Sequence, residues 1–386
     1  MNILWIYNMP LDPEAGGTER ITSLVAQKLR ILGHKCLEVL VFSERGGVMT
    51  YLGKTVTDLH AFLKEKKIDI VINQIAYATW LIDTFLAYGG RKWCAEGGKL
   101  ISCLHFDPCN PDFVQLLMSK EQLTLTDKLQ IIKHKLLPSY YTHKKERQEG
   151  EIYNKIYDNS DAFVILSDTH RPYLRKVMQR VEYDKLIAIN NPLTFDRIIS
   201  EKELDKKKKI MLVCARMSEY HKRISLILKA WQRLQRGKAT DGWALKLIGE
   251  GPDLERYRKQ AAYLKITDVE FCGRQAPLPY YQEASILLLT SSAEGWGLSL
   301  TEALQNGAVP VVMNSSPVYT DIIKNGYNGY LTPNGDEKTF ANHIKALTSN
   351  PRLLRAMQMN AIASASCFSI DKTIGKWEAL LSKISE

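Results

Sequence analysis

The 386-residue sequence contains no apolar run that reaches the roughly 20 residues needed to cross a bilayer. Its first residues also lack the basic segment and long apolar core of a secretion signal, so we expect a protein that stays in the cytoplasm. The seven cysteines are an odd number and show no Cys-x-x-Cys spacing. This argues against a disulfide framework or a zinc site and favours buried, reduced thiols.

Zinc-finger spacing and an aromatic-plus-basic RNA-binding signature are absent too. The chain nevertheless carries 52 basic and 42 acidic residues, a net charge of +10. A positive surface attracts nucleic acid, the inner face of a membrane or an anionic substrate. Without a nucleic-acid motif, the charge favours a membrane surface or a diphosphate-bearing ligand.

The length exceeds what one hydrophobic core normally supports, which predicts two domains. Both halves alternate short apolar runs with segments of helical spacing, which is typical of parallel α/β sheets. No Gly-x-Gly-x-x-Gly follows the first strand, which argues against a dinucleotide cofactor. The predicted strands of the first half are 3–7, 37–42, 68–73, 99–105, 162–166 and 186–189, and those of the second are 210–215, 243–248, 269–272, 285–290 and 309–313.

Segment 293–306, Ala-Glu-Gly-Trp-Gly-Leu-Ser-Leu-Thr-Glu-Ala-Leu-Gln-Asn, lies between two of these strands. Its glycines permit a tight turn, and a helix that starts near Gly297 or Leu298 points unpaired N–H groups at an anion. Glu294 and Glu302 would repel phosphate, so they are better suited to accept hydrogen bonds from hydroxyl groups. Hydroxyls beside phosphates indicate a sugar nucleotide.

The pattern S-x-x-E-G-W-G-L-x-L-x-E-A-L-x-x-G-x-x-P-V-V resembles glycosyltransferase family 4 of the GT-B superfamily. The resemblance implies an α/β fold with two Rossmann-like domains that face each other across a cleft. It implies an acceptor-binding domain over 1–194, joined by a crossover helix at 370–386, and a nucleotide-sugar-binding domain over 195–369. It also implies that Glu294 contacts the donor sugar and Glu302 the ribose. The implied donor site further includes Gly295, Trp296 (where Phe is usual), Gly297 and Leu298.

Two cations follow the strand at 210–215. The planar guanidinium of Arg216 can bind two phosphate oxygens at once, and the mobile Lys222 ammonium adds a positive charge. The two side chains therefore suit a diphosphate. They resemble the family's Gly-Arg…Lys-Gly motif, in which the cations stabilise the departing nucleoside diphosphate, although this chain has Ala215 and Arg223 where glycine is usual. The resemblance makes Arg274 a nucleobase contact, and we interpret the Gly-x-Gly-Pro at 249–252 as architectural.

Two features of the first half are assigned to the same site. Gly16 and Gly17 follow the first strand and are similar to a family loop near the donor phosphates and the acceptor; a merely structural turn is an equal alternative. Thr18 is predicted to cap the helix at 19–32. His105 ends the fourth strand, where it can donate a hydrogen bond or carry a proton near neutral pH, unless it is simply packed.

Segment 111–149 interrupts the alternation of strands and helices. Residues 127–147 combine apolar, aromatic and basic side chains, which indicates either an amphipathic surface for anionic lipid and a lipid-linked acceptor, or a helical lid packed on its own domain. The run at 206–209 is interpreted as a solvated strand edge or linker.

The overall prediction is a retaining glycosyltransferase in surface polysaccharide biosynthesis. It would move a hexose or N-acetylhexosamine from a nucleotide sugar, with UDP favoured, to a glycan or lipid-linked acceptor at the inner face of the membrane. No Asp-x-Asp is present, and Arg216, Lys222 and amides supply positive charge, so no metal or other cofactor is expected. The alternatives are a non-catalytic nucleotide-sugar-binding partner, an epimerase or phosphorylase of the same fold, and a basic module for membrane or nucleic acid.

Overall fold

The computed structural model describes residues 1–14, 16–43, 47–109, 113–120 and 122–386. The chain forms two compact units. Unit 1 contains 1–108, 137–194 and 370–386, and unit 2 contains 109–136 and 195–369. Segment 109–136 therefore groups with unit 2, whereas the sequence-based boundaries put it in the first domain. One reason is a hydrogen bond from Arg256 to the carbonyl of Ser119.

Unit 1 is built on one sheet whose central strands are parallel. From one edge to the other the strand order is β5-β4-β3-β1-β6-β7-β8-β9, and β2 also pairs with β1. The strands are β1 (Asn2–Tyr7), β2 (Lys35–Cys36), β3 (Leu40–Phe42), β4 (Met49–Tyr51), β5 (Lys54–Val56), β6 (Ile70–Asn73), β7 (Lys99–Leu104), β8 (Ala162–Ile165) and β9 (Leu186–Ala188).

The helices of unit 1 connect these strands and include the last segment of the chain. A π-helical turn, Leu86–Gly90, and a 3₁₀ turn, Asp168–His170, extend two of them. The helices are α1 (Gly17–Ile31), α2 (Leu59–Glu65), α3 (Trp80–Phe85), α4 (Arg91–Ala95), α7 (Pro138–Asp158), α8 (Arg171–Met178) and α17 (Ile370–Ser385).

Of the strand predicted over 37–42, only 40–42 forms a strand, β3; residues 37–39 do not, and β2 lies before them at Lys35–Cys36. Both β2 and β3 pair in parallel with β1, but the register shifts by one residue between the pairs Ile3–Cys36 and Ile6–Leu40. One extra residue is therefore accommodated between β2 and β3, as in a β-bulge. The antiparallel hairpin of β4 and β5 was not predicted, because its strands have three residues each and little apolar alternation.

Unit 2 has a sheet of six parallel strands in the order β12-β11-β10-β13-β14-β15. This is the doubly wound order, in which the chain starts in the middle and reverses direction once. The strands are β10 (Lys208–Cys214), β11 (Ala244–Ile248), β12 (Val269–Gly273), β13 (Ala284–Leu289), β14 (Val309–Asn314) and β15 (Tyr330–Pro333).

Helices cover this sheet, and 3₁₀ turns lie at Glu201–Lys206 and Ser366–Phe368. Trp231 and Phe340 are among the largest side chains in the core between helices and strands. The helices are α5 (Phe113–Met118), α6 (Leu125–Leu136), α9 (Glu219–Lys222), α10 (Ile224–Arg236), α11 (Leu254–Tyr263), α12 (Pro277–Glu283), α13 (Leu298–Gln305), α14 (Tyr319–Ile322), α15 (Glu337–Ser349) and α16 (Pro351–Ala365).

The basic run at 206–209 is not a uniformly solvated edge. The Lys207 ammonium group lies inside unit 2 and donates to the carbonyls of Tyr281 and Ala284, both at 2.7 Å. Burial lowers the pKa of Lys207 to about 7. The interpretation as a solvated edge is therefore wrong for Lys207, although Lys206, Lys208 and Lys209 are exposed.

The cysteines are reduced, as expected, but only Cys36 and Cys103 are buried, and the expectation of burial is wrong for the exposed Cys109 and Cys367. All seven cysteines are free thiols, and burial raises the pKa of Cys36 to about 11. Among the described residues, none of the helices combines the length and the apolar character required to cross a bilayer.

Candidate functional site

The candidate site of unit 2 lies where its sheet changes direction, between β10 and β13. Ligands of doubly wound sheets bind outside the carboxyl ends of the strands at this position. Arg216 follows β10, and Glu294 follows β13. The topology therefore brings together two segments that are far apart in the sequence.

The turn that carries Arg216 is supported by a very close backbone contact. Gly249 has a φ of 131°, and a Cβ atom there would lie 1.9 Å from the carbonyl oxygen of Ala215. The N–H of Ala215 donates to Ile248, and the N–H of Met217 donates to Glu250. The Gly-x-Gly-Pro turn thus holds the loop in place, while the Arg216 side chain stays exposed and forms no ion pair or hydrogen bond within the described part of the chain.

Lys222 and Glu294 form an ion pair across the switch point. Their side chains are 21% and 16% exposed, so the pair is largely shielded from solvent. Ser291 Oγ donates to Glu294 Oε1 at 2.7 Å, and Ser316 Oγ donates to the Glu294 carbonyl at 3.0 Å. The carboxylate therefore has a fixed position beside the ammonium group.

The backbone conformation of Arg223 explains why glycine is usual at this position in the family that the motif resembles. Its φ of 46° and ψ of 43° lie in the left-handed region, which costs a residue with a Cβ atom about 1–2 kcal/mol. The guanidinium offsets this cost by donating to the carbonyls of Thr290 and Ser291, each at 2.8 Å, and to Asn334 Oδ1 at 2.7 Å. The turn after Lys222 is thus fixed to the end of β13.

The glycine-rich turn ends at the N-terminus of α13, as predicted. Gly297 is the residue before the helix and has a φ of 87°, which favours glycine. No side chain of the described residues caps this helix, so the first N–H groups, from Leu298 onward, remain available to an anion.

Glu302 and Trp296 are both buried, with 3% of each residue exposed. The Tyr281 hydroxyl lies beside Glu302 and Cys214, and burial together with these neighbours raises its pKa well above the ordinary value. The Trp296 ring packs edge-on against Phe368 at 5.6 Å, and its Nε1 atom has no hydrogen-bond partner among the described residues. The buried Trp296 ring therefore supports the glycine-rich turn by packing against Phe368.

Two further side chains lie around this edge of unit 2. His221 precedes Lys222, and its pKa is lowered first by burial and then by the positive charges of Lys222 and Arg216. The sequence analysis did not single out His221. Arg274, the predicted nucleobase contact, follows β12 and is exposed.

In unit 1, Gly16 and Gly17 lie at the N-terminus of α1, close to the carboxyl end of β1. Gly16 is the residue before the helix, and Thr18 is inside it and makes no capping bond, so the predicted cap is wrong. The N-terminal position is shielded instead by Glu19, which is buried and accepts a hydrogen bond from Tyr7 Oη at 3.2 Å.

His105 follows β7 and contacts the end of β6 through Gln74. The His105 Nε2 atom donates to Gln74 Oε1, which also accepts from Thr22 Oγ1 at 3.2 Å. Its Nδ1 atom is buried without a partner among the described residues, and burial lowers the pKa of His105 to about 4. The ring is therefore neutral at pH 7, which favours a hydrogen-bonding role over proton transfer.

Next to His105, the structure exposes an aromatic pair that the sequence analysis missed. Tyr77 and Phe106 are 36% and 45% exposed, and their rings meet edge-on at 4.8 Å. Each follows a strand, β6 or β7, but they are distant in sequence and have no common motif. The only available signal was an aromatic residue shortly after each predicted strand.

Comparison with known proteins gives a consistent result. Residues 194–364 match the family described as "Glycosyl transferases group 1". An uncharacterized glycosyltransferase of Haemophilus influenzae is 29% identical over 224 residues, 57% of this chain and 61% of that protein. A lipopolysaccharide 1,6-galactosyltransferase of Escherichia coli is 31% identical over 156 residues, 39% of this chain and 42% of that protein.

Among solved structures, the Anabaena protein HepE in complex with UDP has a TM-score of 0.70 at 17% identity. The match covers 99% of this chain and 100% of HepE. The Haemophilus and Escherichia relatives, in contrast, are each matched over less than two thirds of their length. The chain therefore has the α/β fold of GT-B glycosyltransferases, and its residues 194–364 carry a glycosyl transferases group 1 domain.

Proposed function

We propose that this chain is a retaining glycosyltransferase of family 4. It transfers a hexose or N-acetylhexosamine from a nucleotide sugar, with UDP favoured, to a glycan or lipid-linked acceptor during surface polysaccharide assembly. The observation that carries the proposal is the arrangement in unit 2 of Arg216, Lys222 and Glu294 around the open N-terminus of α13. The reported relatives, among them a lipopolysaccharide galactosyltransferase, support the reaction class.

The unit 2 edge stabilises the leaving group as the glycosidic bond breaks. Arg216, Lys222 and the N–H groups at Leu298 offer positive charge and hydrogen-bond donors to the β-phosphate. Preorganised donors of this kind are each worth roughly 10²–10³-fold in rate. On donor binding, Lys222 exchanges the Glu294 carboxylate for phosphate, which frees Glu294 to accept hydrogen bonds from the sugar hydroxyls.

Glu302 binds the ribose in this proposal. Its carboxylate lies at the carboxyl end of β10, next to Cys214 and the Tyr281 hydroxyl. A vicinal diol matches a carboxylate with two acceptor oxygens. The exposed Arg274 after β12 contacts the nucleobase in this proposal.

The acceptor binds unit 1. The exposed rings of Tyr77 and Phe106 offer an apolar surface for the C–H face of a sugar. The neighbouring neutral pair of His105 and Gln74 suits uncharged hydroxyl groups. Gly16 and Gly17 lie at the same carboxyl edge of the sheet.

We propose that the reaction takes place in the cytoplasm, at the inner face of the membrane, and needs no metal or other cofactor. Arg216, Lys222 and the amide groups of α13 supply the positive charge that a divalent ion would otherwise provide. Activity should therefore persist in excess EDTA. Complete loss of activity that added magnesium restores would contradict this part of the proposal.

The test measures nucleotide release and product formation with the full-length protein. A panel of nucleotide sugars is first screened for thermal stabilisation, and the best donor is then supplied with candidate glycan acceptors. Acceptor-dependent release of UDP with an α-configured product supports the proposal. Stabilisation without turnover favours a non-catalytic binding partner, and conversion of the donor sugar without an acceptor favours an epimerase.

A further inference from the structure

Helix α6 of unit 2 exposes the side chains that an amphipathic helix normally buries. Four of its five large apolar residues, which we call the α6 stripe, are strongly exposed: Leu125 by 80%, Leu129 by 59%, Ile132 by 51% and Leu136 by 74%. Their spacing of four, three and four residues puts all four on one face of the helix. The α6 stripe is therefore a continuous exposed apolar surface.

The opposite face of α6 is fixed to the protein. Asp127 and Ile131 are its buried residues. Asp127 accepts hydrogen bonds from Lys120 Nζ at 2.7 Å and from the Thr124 hydroxyl at 2.8 Å. These two donors lower the pKa of Asp127 to about 2, so it is ionised at neutral pH. Asp127 and Ile131 lie on the face of α6 opposite the stripe, so the stripe points away from the buried side of the helix.

Three exposed lysines flank the stripe. At about 100° per residue, Lys128 and Lys135 fall on one side of it and Lys133 on the other. Their ammonium groups form no ion pair with the residues that the structure describes. The only acidic residue of α6 is Asp127, which is buried and paired. The exposed face of α6 is thus apolar along its centre and positive at both edges.

The two most exposed apolar side chains outside α6 among the described residues stand alone. Val181 is 98% exposed and Tyr263 is 85% exposed, but each is the single such residue on its own segment. Isolated apolar residues on a surface are ordinary and indicate no partner. Four on one helical face, with lysines at both edges, match the chemistry of a bilayer interface.

We propose that α6 docks the protein on a bilayer that contains anionic lipids. The stripe enters the boundary between headgroups and acyl chains, and Lys128, Lys133 and Lys135 contact the lipid phosphates. Lysines beside an apolar stripe are complementary to an anionic bilayer, whereas a second copy of this positive face would repel it. The inference does not depend on glycosyl transfer, because it concerns a different surface.

The test is sedimentation of the full-length protein with vesicles, without donor or acceptor. Vesicles of phosphatidylcholine with phosphatidylglycerol should bind the protein at least about tenfold more tightly than phosphatidylcholine alone, since each lysine adds attraction to anionic lipid. The double variant Leu129→Glu/Ile132→Glu should lose at least about tenfold in binding, because it removes apolar burial. Raised salt should weaken wild-type binding.

Matched variants separate docking from unfolding. Val181→Glu and Tyr263→Glu change even more exposed apolar residues outside α6 and should bind vesicles like the wild type. All variants should keep the wild-type melting temperature, because the changed side chains are exposed. Wild-type protein that fails to bind anionic vesicles would overturn the proposal. A dimer that Leu129→Glu/Ile132→Glu dissociates, with vesicle binding unchanged, would overturn it as well and assign the stripe to a second copy.

Discussion

The two sheets carry different chemistry at the corresponding edge. In unit 2, the carboxyl ends of β10 and β13 present Arg216 and the ion pair of Lys222 with Glu294. In unit 1, the carboxyl ends of β6 and β7 present Gln74 and a neutral His105. Similar topology therefore supports a charged edge between β10 and β13 in unit 2, whereas the ends of β6 and β7 in unit 1 carry a neutral pair and the carboxylate of Glu19 is buried at the start of α1. We therefore expect unit 2 to bind the charged ligand and unit 1 to bind the uncharged ligand.

The largest expected effect concerns the charged edge. Lys222→Ala should lower turnover by roughly 10²-fold or more with the fold retained, because a preorganised charge on the leaving group is lost. Steady-state kinetics with the best donor measure this. The control is Lys229→Ala on α10, whose ammonium forms a surface ion pair with Glu337. Near-normal turnover of Lys222→Ala would contradict the proposal that the charged edge of unit 2 stabilises the leaving group.

Substitutions at the carboxyl edge of the unit 1 sheet should change the KM for the acceptor. Replacing both Tyr77 and Phe106 with alanine should raise this KM about tenfold, since the apolar surface offered to the sugar is lost. The KM for the donor should stay unchanged. Tyr88→Ala, at an exposed tyrosine elsewhere in unit 1, serves as the control. An equal rise in both KM values would mean that the edges do not divide the substrates as proposed.

Substitutions of Arg223 test how much its hydrogen bonds stabilise the charged edge of unit 2. Arg223→Gly removes the cost of the left-handed conformation but loses three hydrogen bonds, and should lower the free energy of unfolding by about 1 kcal/mol. Arg223→Ala keeps that cost and should lose about 1 kcal/mol more. Denaturant titrations compare the two variants. A stabilised Arg223→Gly protein would show that the guanidinium contacts do not offset the strain.

The smallest expected effect is a difference in how the pKa values of His221 and His105 change when UDP is added. Added UDP brings negative charge to Lys222 and Arg216, so the pKa of His221 should rise while that of His105 stays near 4. Histidine NMR titrations, assigned with His221→Gln and His105→Gln, measure both. A shift of the His105 resonance alone would place the nucleotide at the other edge.

The same lowered pKa of His105 predicts a pH dependence of stability. The folded state takes up the His105 proton near pH 4, whereas the unfolded chain takes it up near pH 6.5. The contribution to stability is therefore complete above pH 6.5 and is lost as the pH falls towards 4. His105→Gln should show a shallower loss of the free energy of unfolding over this range.

Much of unit 2 could be predicted from the sequence, because its strands are apolar runs and its turns carry glycine or proline. The helix start at Leu298 and the position of Glu294 after β13 agree with the predictions. The contacts could not be predicted from local patterns. The His105 ring lies beside Gln74, 31 residues earlier, and Lys207 is buried by residues more than 70 positions later. Such effects depend on long-range packing.

The connectivity of the units has a consequence for synthesis. Helix α17, with Ile374, Trp377 and Leu381 buried, completes unit 1 but is encoded at the opposite end of the chain from β1. Translation from residue 194 to residue 370 takes roughly 10–35 s at typical bacterial and eukaryotic rates. During that interval the first sheet has left the ribosome without its last helix. We therefore expect the apolar surface of unit 1 that α17 covers to need protection until that helix has been synthesised.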